Sequence, residues 1–124
     1  MKNILAVSAL ALLVGGCAAS TQTAAVETGY QPGALGVAAI ERGDWSRAEE
    51  LLNASTAAKA SDPAWLINMG NVYQATGRHD LAIAMWQRAL EAPQPHMLQL
   101  QDGSVASSAD VARLALERYS LASR

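Results

Sequence analysis

The stretch GNVYQATGRHDLAIAMWQRAL, residues 70–90, decides how the rest of this 124-residue chain is read. It is built mostly of helix-favouring residues, but Gly70 sits inside the run and Thr76-Gly77 breaks it. A glycine within a helix costs roughly 0.5–1 kcal/mol relative to alanine, so Gly70 answers a demand of packing rather than of propensity. Gly77 shows the other use of glycine, the left-handed residue on which helices stop. Upstream, Asp62-Pro63 sets an N-cap side chain before a proline at the first helical position, and a helix is expected from there to about Thr76. After the break, Asp80 near a second N-terminus and Arg88 near its C-terminal end both suit the helix dipole. Leu81, Met85, Trp86, Ala89 and Leu90 recur at helical spacing and define the stripe expected to be buried.

The same signals occur 34 residues earlier: Gly36 precedes Gly70 by that interval, Gly43 precedes Gly77, and Ala48 precedes Ala82. Leu35 aligns with Met69, Leu51 with Met85 and Leu52 with Trp86. Identity between the copies concentrates on small residues, as expected where helices cross closely. In the first copy Gly43 stops one helix, Asp44 caps the next, and Ala48, Leu51 and Leu52 form its stripe. This pattern resembles the tetratricopeptide repeat, a unit of two antiparallel helices. The second copy carries it as Leu66-x2-Met69-Gly70-x2-Tyr73, then Ala82-x3-Trp86 and Ala89, with Trp65 and Pro93 each one place early. The first copy reads Pro32-x2-Leu35-Gly36-x2-Ala39, then Ala48-x3-Leu52; it lacks the tyrosine and the closing proline, and has Ser55 at the second small position.

The resemblance implies a mainly all-α fold, with two helix pairs in residues 31–94 stacked as a short right-handed α-solenoid. It also implies a concave groove, lined by the first helix of each pair, that receives a protein or peptide partner. Carried over position by position, the groove involves Val37, Ile40 and Glu41 from the first copy and Ile67, Asn71, Gln74 and Ala75 from the second. Asn71 stands out, because its amide both donates and accepts. The other reading of these residues is that they are simply solvated. The positions carried over include no lysine or arginine of the kind that clamps a C-terminal carboxylate.

Two repeats make a thin core, so residues 95–124 are expected to supply a cap. Asp102-Gly103 is a hairpin-turn signal, and alternation would set Leu98, Leu100 and Val105 on one face. Ser107 and Asp110 stand at N-cap and N3 spacing. In the helix that follows, Val111, Leu114, Ala115 and Leu121 are expected to face the last repeat helix, and Arg113, Arg118 and Arg124 to face water. A hairpin plus capping helix is one reading; a loop followed by a degenerate third repeat is the other.

The opposite end is a different object. Lys2 precedes ILAVSALALLV, residues 4–14, and then GGC: a positive region, an apolar region and small residues before a cleavage site. Such an apolar run spans about 16 Å as a helix, short of a ~30 Å hydrocarbon core, so residues 1–16 read as an export signal. VGGC, residues 14–17, resembles the lipobox of bacterial lipoproteins, which implies lipidation of Cys17 on its thiol and its amine. Cys17 is the sole cysteine, so it has no disulfide partner within the chain. Several acyl chains anchor stably where one is marginal. An ordinary secretory signal with an incidental cysteine is the alternative. Ala18 rather than aspartate after the cysteine points, in a Gram-negative cell, to the periplasmic face of the outer membrane. Residues 17–30 are small, polar and aperiodic, and read as a tether of roughly 20 Å reach.

The formal charge is −2, and loss of Lys2 with the leader leaves 8 basic against 11 acidic side chains. No basic stripe supports nucleic-acid binding. His79 falls in the GRHD turn and His96 follows Pro95, so no metal-ligand spacing emerges. Ser107, His96 and Asp110 are better explained as a cap and a loop than as a catalytic set. The glycines do not form a phosphate-binding G-x-G-x-x-G. No cofactor, metal or enzymatic activity is expected. Trp86 and Trp45 read as packing residues, and Trp65 as either packing or partner contact. The expected function is a lipid-anchored envelope adaptor or scaffold, of the kind that assists assembly of envelope, pilus or secretion complexes. The alternative is a structural, self-associating lipoprotein whose groove is filled by its own copy.

Overall fold

A computed structural model describes Tyr30, residues 32–55 and residues 61–124. The export signal of residues 1–16, Cys17 and the tether as far as residue 29 lie outside the described residues. Five helices and one hairpin follow in order: α1 (Val37–Glu41), α2 (Trp45–Ala54), α3 (Pro63–Ala75), α4 (His79–Leu90), β1 (Met97–Gln99), β2 (Val105–Ser107) and α5 (Ser108–Ala122). The fold is therefore mainly helical, as expected, with two helix pairs followed by a hairpin and a capping helix.

The two pairs turn by one device. After α3, Gly77 adopts φ +79°; its N–H donates to the Gln74 carbonyl (3.1 Å) and the Arg78 N–H to the Tyr73 carbonyl (2.8 Å). After α1, Gly43 adopts φ +70°, with its N–H on the Ile40 carbonyl (3.0 Å) and the Asp44 N–H on the Ala39 carbonyl (2.9 Å). This is the Schellman closure of a helix end, made twice at the 34-residue interval. The next helix is capped in the first pair by Asp44, whose carboxylate accepts the Arg47 N–H (3.1 Å). Asp62 caps α3 through the Ala64 and Trp65 N–H groups (2.9 and 3.3 Å), with Pro63 at the first helical position.

The first pair departs from the sequence expectation at its start. Leu35 and Gly36 do not lie in a helix: residues 32–35 form turns, Gly36 takes φ +63°, and only then does the short α1 begin. The left-handed backbone at Gly36 cannot continue a helix. The close approach inferred from the Gly36/Ala48 register is nevertheless present, since a Cβ at Gly36 would stand 3.1 Å from the Ala48 carbonyl oxygen.

Helix α3 is the axis of the domain, buried at every residue from Pro63 to Val72. Three polar pins hold other segments to it. Tyr30 donates its hydroxyl to the Asp62 carboxylate (2.9 and 3.0 Å), Asn68 donates its amide to the Leu35 carbonyl (3.0 Å), and Trp65 donates its indole N–H to the Leu52 carbonyl at the end of α2 (2.8 Å). Trp65 is thus a packing and capping residue. Burial first, and then the Asp62 carboxylate, push the Tyr30 phenol well above its ordinary pKa. The two pairs are also stapled by Arg78, whose guanidinium binds Glu49 of α2 in a bidentate grip (2.8 and 2.6 Å) while lying 4.6 Å over the Tyr73 ring. The hydrogen bonds from Arg78 hold the Glu49 carboxyl below its ordinary pKa, against a smaller opposing effect of burial.

The hairpin forms where Asp102-Gly103 predicts it, with Gly103 at φ +82°. Leu98 pairs with Ala106, and Gln99 with Val105. Cross-strand partners share a face, so Leu98 and Ala106 turn inward while Val105 turns out with Gln99. Leu98 and Leu100 join the core as expected, and Val105 is exposed, which corrects its expected place. The hairpin reaches back to the first pair, where Gln101 donates its amide to the Glu41 carboxylate (3.3 Å). Ser107 caps α5 by accepting the Asp110 N–H (3.3 Å). Helix α5 buries Ser108, Val111 and Ala112. Leu121, expected to pack, is exposed, because the buried stripe of α5 is rotated away from it, and Leu114 stays exposed at the edge of that stripe. Leu81 of α4 is likewise exposed instead of packed.

Candidate functional site

The residues carried over as groove residues divide into two fates. Val37 and Ile40 are buried in the core and offer no groove surface, and Glu41 is exposed and engaged by the hairpin through Gln101. The short α1 and the returning hairpin therefore leave no open first-repeat wall. Ile67, Asn71 and Gln74 do come together. They fall on one stripe of α3 and line an open cavity of about 250 Å³, with Trp86 of α4 beside them. Ala75 is exposed and lies outside this lining.

The opposite wall is α5, which contributes Val111, Leu114, Ala115, Arg118, Tyr119 and Ala122. The sequence placed this helix against the last repeat helix, and α5 does pack mainly on α4; what the amphipathic pattern of residues 108–122 does not announce is that α5 also reaches α3 and closes the cavity. Arg118 also belongs to the lining, so the groove is not without basic residues, although the positions carried over from the repeat include none. Asn71 is nearly buried and Gln74 half-buried, so the wall of α3 presents amides among apolar surface.

Trp86 and Gly70 shape this region together. A Cβ on Gly70 would fall against the Trp86 indole, within 2.6 Å of Cδ1 and 3.0 Å of Cε2. The missing side chain is thus the space in which the indole lies. The indole Nε1–H is buried and has no hydrogen-bond partner in the structure. The His79 ring at the start of α4 stacks at an angle on Tyr119, 5.4 Å between centroids, and ties α4 to α5.

The cavity lies below the roughly 300–1,000 Å³ common for small-molecule pockets, and its size suits a protruding side chain or two of a protein segment. Among the described residues, no three His, Cys, Asp or Glu side chains gather in a metal-binding group. Ser107, proposed only as a cap, has its hydroxyl committed to the Asp110 N–H.

With this geometry in view, the family model of the tetratricopeptide repeat matches residues 65–96. That span takes in nearly all of α3, all of α4 and the approach to β1. The second helix pair is therefore similar to a tetratricopeptide repeat, a module that commonly mediates contacts between proteins. No curated protein and no solved structure matches the chain.

Proposed function

We propose that this chain is a non-catalytic adaptor of the bacterial envelope, anchored by lipid at Cys17, whose groove between α3 and α5 holds a segment of a partner protein. The observation that carries the groove reading is the convergence of Ile67, Asn71 and Gln74 on one open cavity with α5 as its second wall. Apolar floor and walls would take an anchoring side chain, while the amides of Asn71 and Gln74 suit the polar backbone of a bound segment. The lipobox-like residues 14–17 support the anchor, and Ala18 supports the periplasmic face of the outer membrane. A role in assembling an envelope, pilus or secretion complex fits a short groove held close to a membrane by a tether of roughly 20 Å reach.

Crosslinking in cells tests the groove. A photo-reactive residue at half-buried Gln74 is expected to capture a partner that one at exposed Gln87 of α4 does not, and Ala115→Arg, which fills the cavity, is expected to abolish capture. Capture of nothing, or of this chain alone, would remove the adaptor reading. For the anchor, Cys17→Ser is expected to abolish labelling by a fatty-acid probe; retained labelling would show that Cys17 is not the lipidated residue.

A further inference from the structure

Helix α1 is covered on two sides. Val37, Ile40 and Glu41 fall on one stripe at helical spacing, and Ala39 lies on the nearly opposite face. Val37, Ile40 and Ala39 are all buried, which a single neighbouring helix cannot achieve. The hairpin supplies cover on the Val37 side, because Gln101 at its turn reaches Glu41 on that stripe (3.3 Å). Leu98 and Leu100, two residues apart on the inner side of the hairpin, join the same apolar cluster as Val37 and Ile40, at 6% and 9% exposure. Val37, Ile40 and Glu41 are positions at which the repeat resemblance puts the partner-binding groove. A strand of this chain thus sits where the resemblance puts a partner segment.

The hairpin is held by one side and by its base. Its outer side carries Met97 and Val105 at 68% and 62% exposure. Its base is fixed at buried Ser108, whose N–H donates to the His96 carbonyl (2.8 Å) and whose hydroxyl accepts the His96 N–H (3.0 Å). At the far end, the bond from Gln101 to Glu41 is exposed to water and adds little. A two-stranded hairpin is marginal on its own, so burial of the two leucines is what keeps it down. We propose that the hairpin is a built-in occupant of the first-repeat face, and that this face binds an extended protein segment once the hairpin pivots away about His96 and Ser108. The segment it takes copies the occupant, with apolar side chains two residues apart on one side and polar residues between and after them. Such a cover lowers the apparent affinity for a partner in proportion to the fraction of chains that are open. The cavity between α3 and α5 is lined by no hairpin residue, so the two surfaces are distinct and neither reading depends on the other.

The test uses the full chain in detergent with Cys17→Ser, so that an introduced thiol is the sole one, and a synthetic peptide of residues 96–102, HMLQLQD. Ile40→Cys places a thiol beneath the hairpin, and Val72→Cys places one in fully buried α3, where movement of the hairpin alone does not expose it. A thiol reagent is expected to label Ile40→Cys at least about tenfold faster than Val72→Cys, because the hairpin opens without global unfolding. Excess peptide is expected to slow that labelling, and the same peptide with Leu98→Ser and Leu100→Ser to leave it unchanged. In the chain itself, Leu98→Ser with Leu100→Ser removes the built-in anchors and is expected to tighten binding of the fluorescent peptide, read by anisotropy, at least about tenfold. Ala115→Arg, which fills the other cavity, is expected to leave this binding unchanged. Circular dichroism checks that each variant keeps its helices; should the double serine variant lose them, the labelling comparison, made with the hairpin intact, decides. Equal labelling at 40 and 72, labelling indifferent to the peptide, equal protection by the serine peptide, or loss of peptide binding with Ala115→Arg would overturn the proposal.

Discussion

Replacing Gly70 with alanine tests the packing logic of the second helix pair directly. In an exposed helix this change stabilises, by roughly 0.5–1 kcal/mol, because glycine pays more backbone entropy on folding. Here the added Cβ would lie 2.6 Å from Trp86 Cδ1 and 3.0 Å from Cε2, closer than real Cβ contacts run. Trp86 is 2% exposed and cannot swing into solvent, so α3 and α4 must separate or the indole must leave its rotamer. Overpacking of this kind costs about 1–3 kcal/mol. The net expectation for Gly70→Ala is a loss of about 1–2 kcal/mol after the propensity gain, with Gly70→Val worse. For a domain of this size that lowers Tm by roughly 4–16 °C. The assay is urea and thermal unfolding followed by circular dichroism, combined with Trp86→Leu in a double-mutant cycle. Removing the indole should make Gly70→Ala neutral or stabilising, a coupling of about 1–3 kcal/mol between the two sites. Equal or greater stability of Gly70→Ala in the presence of Trp86, or additive behaviour in the cycle, would refute the argument.

The remaining predictions concern the turn, the staple and the buried pin. Gly77→Ala meets no neighbour within 4 Å, yet its φ of +79° makes it cost about 1–2 kcal/mol, with Gly77→Asn milder; equal midpoints for all three proteins in urea would contradict the backbone reading. For Glu49, whose folded pKa is depressed by Arg78, the stabilisation is present above the unfolded carboxyl pKa and is lost as pH falls through the depressed folded value. Glu49→Gln is therefore expected to lower stability by about 0.5–1 kcal/mol at neutral pH, discounted for partial exposure, and to converge with the parent in acid; a pH-independent difference would count against the ion pair. Asn68→Leu removes the amide that donates to the Leu35 carbonyl and is expected to cost about 0.5–1.5 kcal/mol, with hydrogen exchange rising first around residues 33–41; unchanged exchange there would show that the pin is idle.

Much of the architecture was legible because its signals are local. Gly43 and Gly77 announce helix ends through backbone conformation, Asp44, Asp62 and Ser107 announce helix starts through capping, and Asp102-Gly103 announces a turn. Each acts over a few residues, so the chain declares it without reference to the rest. The failures are all questions of which face meets what. Gly36 matched Gly70 in register but does a different job, since it bends the backbone against Ala48 while Gly70 stays helical beneath Trp86. Leu81, Leu114 and Leu121 fit an apolar period yet remain exposed, because a period fixes spacing along a helix and not the direction of the neighbouring helix.

The groove was legible by half. Ile67, Asn71 and Gln74 follow from the repeat register, whereas Val37 and Ile40 go into the core and Val111 to Ala122 supply the missing wall. The sequence by itself determined the helix pairs, their stops and caps, and the hairpin turn, since dihedral preference and side-chain-to-backbone hydrogen bonds are settled among near neighbours. Only the tertiary structure decided that α5, packed on α4, also reaches α3 as the second wall, that the hairpin returns to Glu41, and that Leu121 of α5 faces outward. Those outcomes depend on how surfaces from distant segments fill space together, a condition no short stretch of the chain contains.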